Sequence, residues 1–410
     1  MQSILTRSST QEISVFRHFY HVILFASITL LGCGDASVTS TGPSQVANNQ
    51  IVGVSGNQMT LNDAPWLSRG IVLQGFVRPL AALQANSDTS QQAKEDLQAR
   101  MNYGATELAA IKAYDADTIR FQIGQPALDP TSTAYDPAYL NDVISAVKSA
   151  RQAGFLVMIM MQDEIPISGE TTPHKLPIQE TENNWDLFTA AFGSDRGVVF
   201  ELYNEPNLIA SPANWQRWLT GGNVPGQAEQ AIGMQTLVNH IRGNGAKNVL
   251  VLDGLGITTT DPATGDKKQE LAETLQGMPE VADPLNRLVF AVHPYQHGLT
   301  DESQWDADFG VPSGSVPVWA DEWSAPEGIA LGLGSQTNYQ VAVDLLNYLR
   351  THSISLCTGA FDVPQFVVQD VPGWRLTNYD PTTQTKSSGR LVLNDFAANY
   401  AKQLTLADGL

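Results

Sequence analysis

Gly197-Val198-Val199-Phe200-Glu201-Leu202-Tyr203-Asn204-Glu205-Pro206-Asn207 is a short apolar run that ends abruptly in an amide, a carboxylate and a proline. Runs this short, rich in Val and Phe, read as buried strands. Polar residues gathered just after such a strand mark the C-terminal edge of a parallel sheet, where α/β folds collect their chemistry. The same design recurs downstream in Val316-Pro317-Val318-Trp319-Ala320-Asp321-Glu322-Trp323. Working outward from these two stretches, apolar runs fall at 70–74, 118–123, 156–161, 198–203, 249–252, 288–292, 316–320 and 357–361. Amphipathic stretches of helical length separate them, such as 139–152, with Leu140, Val143, Ile144 and Val147 at three- and four-residue spacing, and 336–349, with Val341, Val343, Leu345 and Leu346. Eight strands alternating with helices through right-handed crossovers predict a (β/α)8 TIM barrel, its active site at the C-terminal strand ends. A doubly wound sheet is the alternative, but no G-x-G-x-x-G follows the first strand.

One barrel with long loops absorbs most of the 410 residues, which would otherwise fill two or three average domains. The formal charge of −19 repels phosphate backbones, so nucleic acid is not an expected partner. The apolar stretch 19–31, preceded by Arg7 and Arg17, fits a signal-peptide core and is short for a membrane span of about 20 residues. Leu30-Leu31-Gly32-Cys33 resembles the bacterial lipobox, which implies cleavage before Cys33, lipidation of that thiol and display of an exported chain on a membrane, at the cell surface or in the periplasm. An ordinary secretory signal is the alternative. Residues 1–32 thus read as the signal, 33–50, rich in Ser, Thr, Asn and Gly, as a flexible tether, and 51–410 as one folded domain. The only other cysteine, Cys357, falls in the eighth strand, where a buried, inert thiol is expected.

Carboxylates after strands four and seven face each other across a barrel mouth, where a gap of about 5 Å would suit a retaining glycosidase and a wider gap an inverting one. Proline at 206 disfavours the right-handed helical region for Glu205 and helps to hold it extended. On a period of two, Val318, Ala320 and Glu322 share a face, and Asp321 points the other way as a structural charge. Glu201 has the parity of Glu205 and reads as a buried charge paired with a basic group. Trp185, Trp215, Trp218 and Trp305 read as packing residues.

Several strand ends together, namely Asn204-Glu205-Pro206, Glu322, Arg120 in Asp117-Thr118-Ile119-Arg120-Phe121, His293-Pro294-Tyr295 and the opening at 62–75, resemble glycoside hydrolase family 5, which includes many cellulases and β-mannanases. The resemblance implies Glu205 as general acid/base and Glu322 as nucleophile of a retaining hydrolase acting on a β-linked glycan. Arg120 is then expected to favour the ionised form of Glu322, while Glu205, less near positive charge, keeps its proton longer. Asn204 would donate to the sugar 2-hydroxyl, Tyr295 would orient Glu322, and His293 would touch sugar or support the site. His293 is not expected to bind metal, because no His/Asp/Glu cluster of metal-site spacing surrounds it in the sequence. No cofactor is implied, and the expected partners of a monomeric chain are a β-glycan and, through the anchor, a membrane. Two positions depart from the family pattern. Gln162 stands where a histidine usually ends the third strand, and Phe361-Asp362-Val363 lacks the tryptophan expected after the eighth, leaving Trp323 and Trp374 as candidate sugar platforms. Those departures support an alternative, a catalytically impaired carbohydrate-binding lipoprotein on the same barrel.

Overall fold

The computed structural model describes residues 49–85, 90–163, 173–260, 267–295, 301–325, 336–364, 366–380 and 388–410. The signal, Cys33 and all of the tether except residues 49 and 50 lie outside the described residues. Eight strands close into a barrel: β1 (Arg69–Leu73), β2 (Thr118–Gly124), β3 (Leu156–Gln162), β4 (Val198–Glu201), β5 (Leu250–Asp253), β6 (Leu288–Val292), β7 (Val318–Trp323) and β8 (Ser355–Thr358). Each pairs in parallel with its sequence neighbour, and β8 closes on β1. This is the (β/α)8 architecture expected from the alternation of runs. β6 coincides with its apolar run, and the limits of the other seven strands differ from theirs by up to three residues. β7 starts at Val318 because Pro317 has no N–H for the ladder. The two periodic stretches become the helices Tyr139–Gln152 and Gln336–Thr351.

Parity along each strand sorts the side chains. Val72, Met158, Val199, Val251, Val289, Ala291, Trp319 and Cys357 form one buried cluster filling the barrel. Residues of the opposite parity, such as Ile119, Phe121, Ile159, Phe200, Leu252 and Phe290, pack with the surrounding helices in a second cluster. The inward row turns polar one step further along, at Arg120, Glu201, Asp253, His293 and Asp321, all fully buried. At the opposite end a small antiparallel sheet, Val52–Ser55, Gln58–Leu61 and Ala64–Pro65, closes the barrel. Val52 and Met59 extend the interior cluster there, and Trp66 meets Trp319 edge-on at 6.0 Å. An antiparallel ribbon after β5, Leu255–Thr260 with Lys267–Thr274, is absent from the sequence reading. Its Thr-rich strand carries too few apolar side chains to stand out as buried.

The fit inside the barrel is tight at Gly70, where an added Cβ would lie 2.1 Å from Cys357 Sγ and 2.9 Å from the Leu356 carbonyl oxygen. Gly70→Ala is therefore expected to cost about 1–3 kcal/mol through overpacking. Chemical denaturation should show a lowered midpoint with an unchanged slope, and an unshifted midpoint would contradict this packing. Burial also pushes the Cys357 thiol well above its ordinary range, which keeps it protonated and inert.

Candidate active site

Asn204 continues the register of β4 against β3 for one more step, its N–H donating to the Met161 carbonyl at 2.9 Å. The chain then breaks. Glu205 takes a left-handed φ of 48°, not the extended conformation expected before Pro206. Two contacts hold this sparsely populated backbone: the Glu205 N–H donates to Asp253 Oδ2 at 2.8 Å, and Glu205 Oε1 meets His293 Nδ1 at 2.9 Å.

β7 overturns a second expectation. Its register advances from Ala320 opposite Leu356 to Trp323 opposite Thr358, three residues against two. One extra residue is a β-bulge. Ala320 and Trp323 both pack in the outer cluster, whereas Asp321 and Glu322 both face the interior of the barrel and its mouth. Glu322 therefore does not share a face with Val318 and Ala320, and Asp321 does not point away from it. The same geometry removes Trp323 from the mouth, since its side chain is fully buried among outer-layer residues.

Arg120 organises the polar layer. Its Nε and Nη2 donate to Glu201 at 2.6 and 2.5 Å, its Nη1 to Glu322 Oε2 at 2.5 Å, and its Nη2 also to Asn204 Oδ1 at 2.8 Å. Glu201 is thus the buried, paired charge expected of it. The carbonyl oxygen of Asn204 is taken by Arg120, which leaves its amide nitrogen without a protein partner among the described residues. Tyr295 donates to Glu322 Oε1 at 2.9 Å, and Gln122 donates to Oε2 at 3.1 Å. Gln122 is absent from the sequence reading, although its position two residues beyond Arg120, with the same inward parity, was the available signal. Burial alone would raise the carboxyl of Glu322. The charges of Arg120 and His293, with hydrogen bonds from Arg120 and Tyr295, outweigh that effect and hold it at about 2. Burial and the Glu322 charge push the Tyr295 hydroxyl up, so it stays a donor.

His293 lies at the centre. Burial alone would lower its imidazole, but Glu322, Asp321 and Glu205 together raise it well above the ordinary value, which favours the imidazolium. Its Nε2 lies 3.2 Å from Asp321 Oδ1 and 3.8 Å from Asp253 Oδ2. Glu205 meets the imidazole of His293 alone, whereas Glu322 meets Arg120 and also feels His293, so Glu205 lies less near positive charge, as expected. The asymmetry between the two glutamates lies in their partners: a permanent guanidinium, an amide and a phenol on Glu322, and a single imidazole on Glu205. The expectation of no acidic cluster around His293 fails. Glu201, Asp253 and Asp321 converge on it from below, and Glu205 and Glu322 from the mouth, with the oxygen and nitrogen atoms of each group within 4.8 Å of one another. Linear spacing hides them because they come from the ends of four strands. A protonated imidazole is a poor metal ligand, and Arg120 already offsets part of the cluster's charge.

Gln162 ends β3 half-buried, its Oε1 without a protein partner among the described residues. Trp374 packs on the outer core beside Glu107. Trp185, Trp215, Trp218 and Trp305 are buried, as expected of packing residues. Next to Gln162, Asp163 accepts from Gln125 at 3.1 Å and pairs with His174 at 2.6 Å, and His174 reaches Glu229 at 3.0 Å. The hydrogen bond that His174 donates to Asp163 is the main cause that raises its imidazole to about 9. This network ties the segment after β3 to the loop before Ala231, and nothing in the sequence spacing announces it.

Residues 88–359 match the family model described as cellulase (glycosyl hydrolase family 5). A search of curated protein sequences finds no match. Among solved structures, the chain resembles a cellulase from a cellulase–inhibitor complex, with a TM-score of 0.57 and 15% identity over 86% of this chain and 98% of the other. It also resembles a hyperthermophilic endocellulase from the archaeon Pyrococcus horikoshii, with a TM-score of 0.55 and 15% identity over 86% and 97% of the two chains. A cellotetraose complex of the Pyrococcus horikoshii endocellulase superposes with a TM-score of 0.54 and 16% identity over 80% and 95%.

Proposed function

Because the chain belongs to glycosyl hydrolase family 5 and is a glycoside hydrolase, we propose that it cleaves β-1,4-glucan with retention of anomeric configuration, Glu322 acting as nucleophile and Glu205 as acid/base. The observation that supports the mechanism is the approach of the two carboxylates, one oxygen of Glu205 lying within 4.8 Å of one oxygen of Glu322. Retaining enzymes bring their carboxyl groups to about 5–5.5 Å, whereas inverting enzymes leave room for a water at about 6.5–9.5 Å. The glucan reading rests on the family and on neighbours named as endocellulases, one of them solved with cellotetraose.

Each step follows from the partners of the two groups. Glu322, ionised beside Arg120, attacks the anomeric carbon as Glu205 delivers its proton to the departing glycosidic oxygen. Tyr295 and Gln122 fix the two oxygens of Glu322, so the attack begins from one orientation. In the second step Glu205 takes a proton from water, and the water oxygen displaces Glu322. The free amide nitrogen of Asn204 supports donation to the 2-hydroxyl, an interaction that strengthens as positive charge develops on the ring. Proton NMR of the first product formed from an aryl β-cellobioside tests the reading. The β-anomer is expected to appear first and mutarotate later, and initial release of the α-anomer would refute retention. A panel of β-glucan, mannan and xylan, scored by reducing ends, tests the substrate class.

A further inference from the structure

Asp321 has no role in the two-glutamate scheme, yet it is fully buried in the middle of the site. Neither of its oxygens has a hydrogen-bond donor at ordinary geometry among the described residues. Its charge is met by His293 Nε2 at 3.2 Å and, from farther away, by Arg120. The opposite nitrogen of the same ring, Nδ1, lies 2.9 Å from Glu205 Oε1. A rigid five-membered ring therefore stands between the buried Asp321 and Glu205, whose side chain is 30% exposed.

We propose that Asp321 is a positioning residue for the acid/base half of the reaction: it holds His293 so that the Nδ1–H occupies Glu205 Oε1 and leaves Oε2 to carry the transferred proton. This inference rests on the reading of Glu205 and Glu322 given above. A neutral imidazole has one donor and one acceptor nitrogen, and between two carboxylates one of its faces would be repulsive. Only the imidazolium presents an N–H to both carboxylates, within hydrogen-bond distance of Glu205 and as an ion pair to Asp321. The groups that surround the ring favour this form, Glu205 and Asp321 by proximity and Glu322 by charge; burial raises Asp253, 3.8 Å away, to about 7 and pushes Glu273 well above the carboxylate range, so these two add less, and Arg120 opposes it. No proton leaves His293 in the cycle. The proton on Glu205 Oε2 passes to the glycosidic oxygen as that C–O bond breaks and the bond to Glu322 forms. Water returns a proton to Oε2 as its oxygen bonds to the anomeric carbon and Glu322 leaves.

The test compares Asp321→Asn with the wild-type chain on two aryl β-cellobiosides. Phenyl departs poorly and needs acid assistance, whereas 2,4-dinitrophenyl departs without it. The expected result is a loss of roughly 10- to 100-fold in kcat/KM on the phenyl substrate and less than about 3-fold in glycosylation by the dinitrophenyl substrate. Equal losses on both substrates, or no loss on phenyl, would overturn the proposal. Should the variant fail to fold, nitrogen-15 NMR of His293 in the wild-type chain decides: a doubly protonated ring at pH 7 is expected, and a neutral ring refutes the assignment. Glu205→Gln is the control. If it keeps full phenyl turnover, the two-glutamate reading itself fails; if it shows the leaving-group selectivity and Asp321→Asn does not, only the role of Asp321 is lost.

Discussion

Glu322→Ala lowers turnover of a soluble β-1,4-glucan by about 10⁴-fold or more, the expected result for removal of a group that forms a covalent intermediate. Glu205→Ala is expected to lose about 10²- to 10⁴-fold on substrates with poor leaving groups. Added azide separates the two roles. In Glu205→Ala it enters the space left by the acid/base and attacks the glycosyl-enzyme, giving a β-glycosyl azide. In Glu322→Ala it replaces the nucleophile and attacks the substrate directly, giving the α-product. The assignment fails if both variants yield the same anomer or if either keeps near wild-type turnover. Tm should change little in Glu205→Ala, whose side chain is 30% exposed and whose loss leaves His293 with other carboxylate partners, whereas Glu322→Ala should lower it at neutral pH, because the variant loses the ionised carboxylate that Arg120 stabilises.

Arg120→Met combines a large effect on stability with one on chemistry. Glu201 is fully buried and both its oxygens are bound by this one guanidinium, so truncation leaves a charge without its partner. Breaking a buried pair from one side costs about 3–5 kcal/mol. Glu322 loses its strongest counter-charge at the same time. In the wild type its carboxyl, held at about 2 against an ordinary 4.5, contributes stability that is complete above pH 4.5 and lost as the pH falls through about 2. Without Arg120 the burial effect dominates, and the acid limb of the kcat/KM profile should move upward from that low value. A double variant, Arg120→Met with Glu201→Leu, separates the contributions: replacing both partners by apolar groups should recover much of the stability and none of the activity. Denaturant titration and a pH–rate profile check both statements, and an Arg120→Met chain as stable as the wild type would contradict the pairing.

The barrel was legible because its eight strands are buried on both faces and so appear as short, near-continuous apolar runs. Glu205, Arg120, Tyr295 and Asn204 were legible because they sit at or just past the ends of those runs, where parity and order place them at one mouth. Parity failed at Glu322, because a strand period of two assumes an unbroken ladder, and the extra residue between Ala320 and Trp323 resets it. Trp323 was misplaced for the same reason. The convergence of Glu201, Asp253, Asp321 and His293 depends on barrel closure, a long-range property that local spacing does not encode. The left-handed Glu205 reflects tertiary anchoring by Asp253 and His293 prevailing over local preference.

The bulge in β7 also separates two kinds of genetic change. Point substitutions can exchange Glu322 for any other side chain and leave its direction intact. Loss of a single codon between Ala320 and Trp323 would instead restore an unbroken ladder, giving a more regular barrel with one acidic side chain facing the interior in place of two. A nucleophile here is inherited as a chain length as much as a residue. Grafting Asp-Glu onto an idealised barrel transfers the letters without the insertion that aims them.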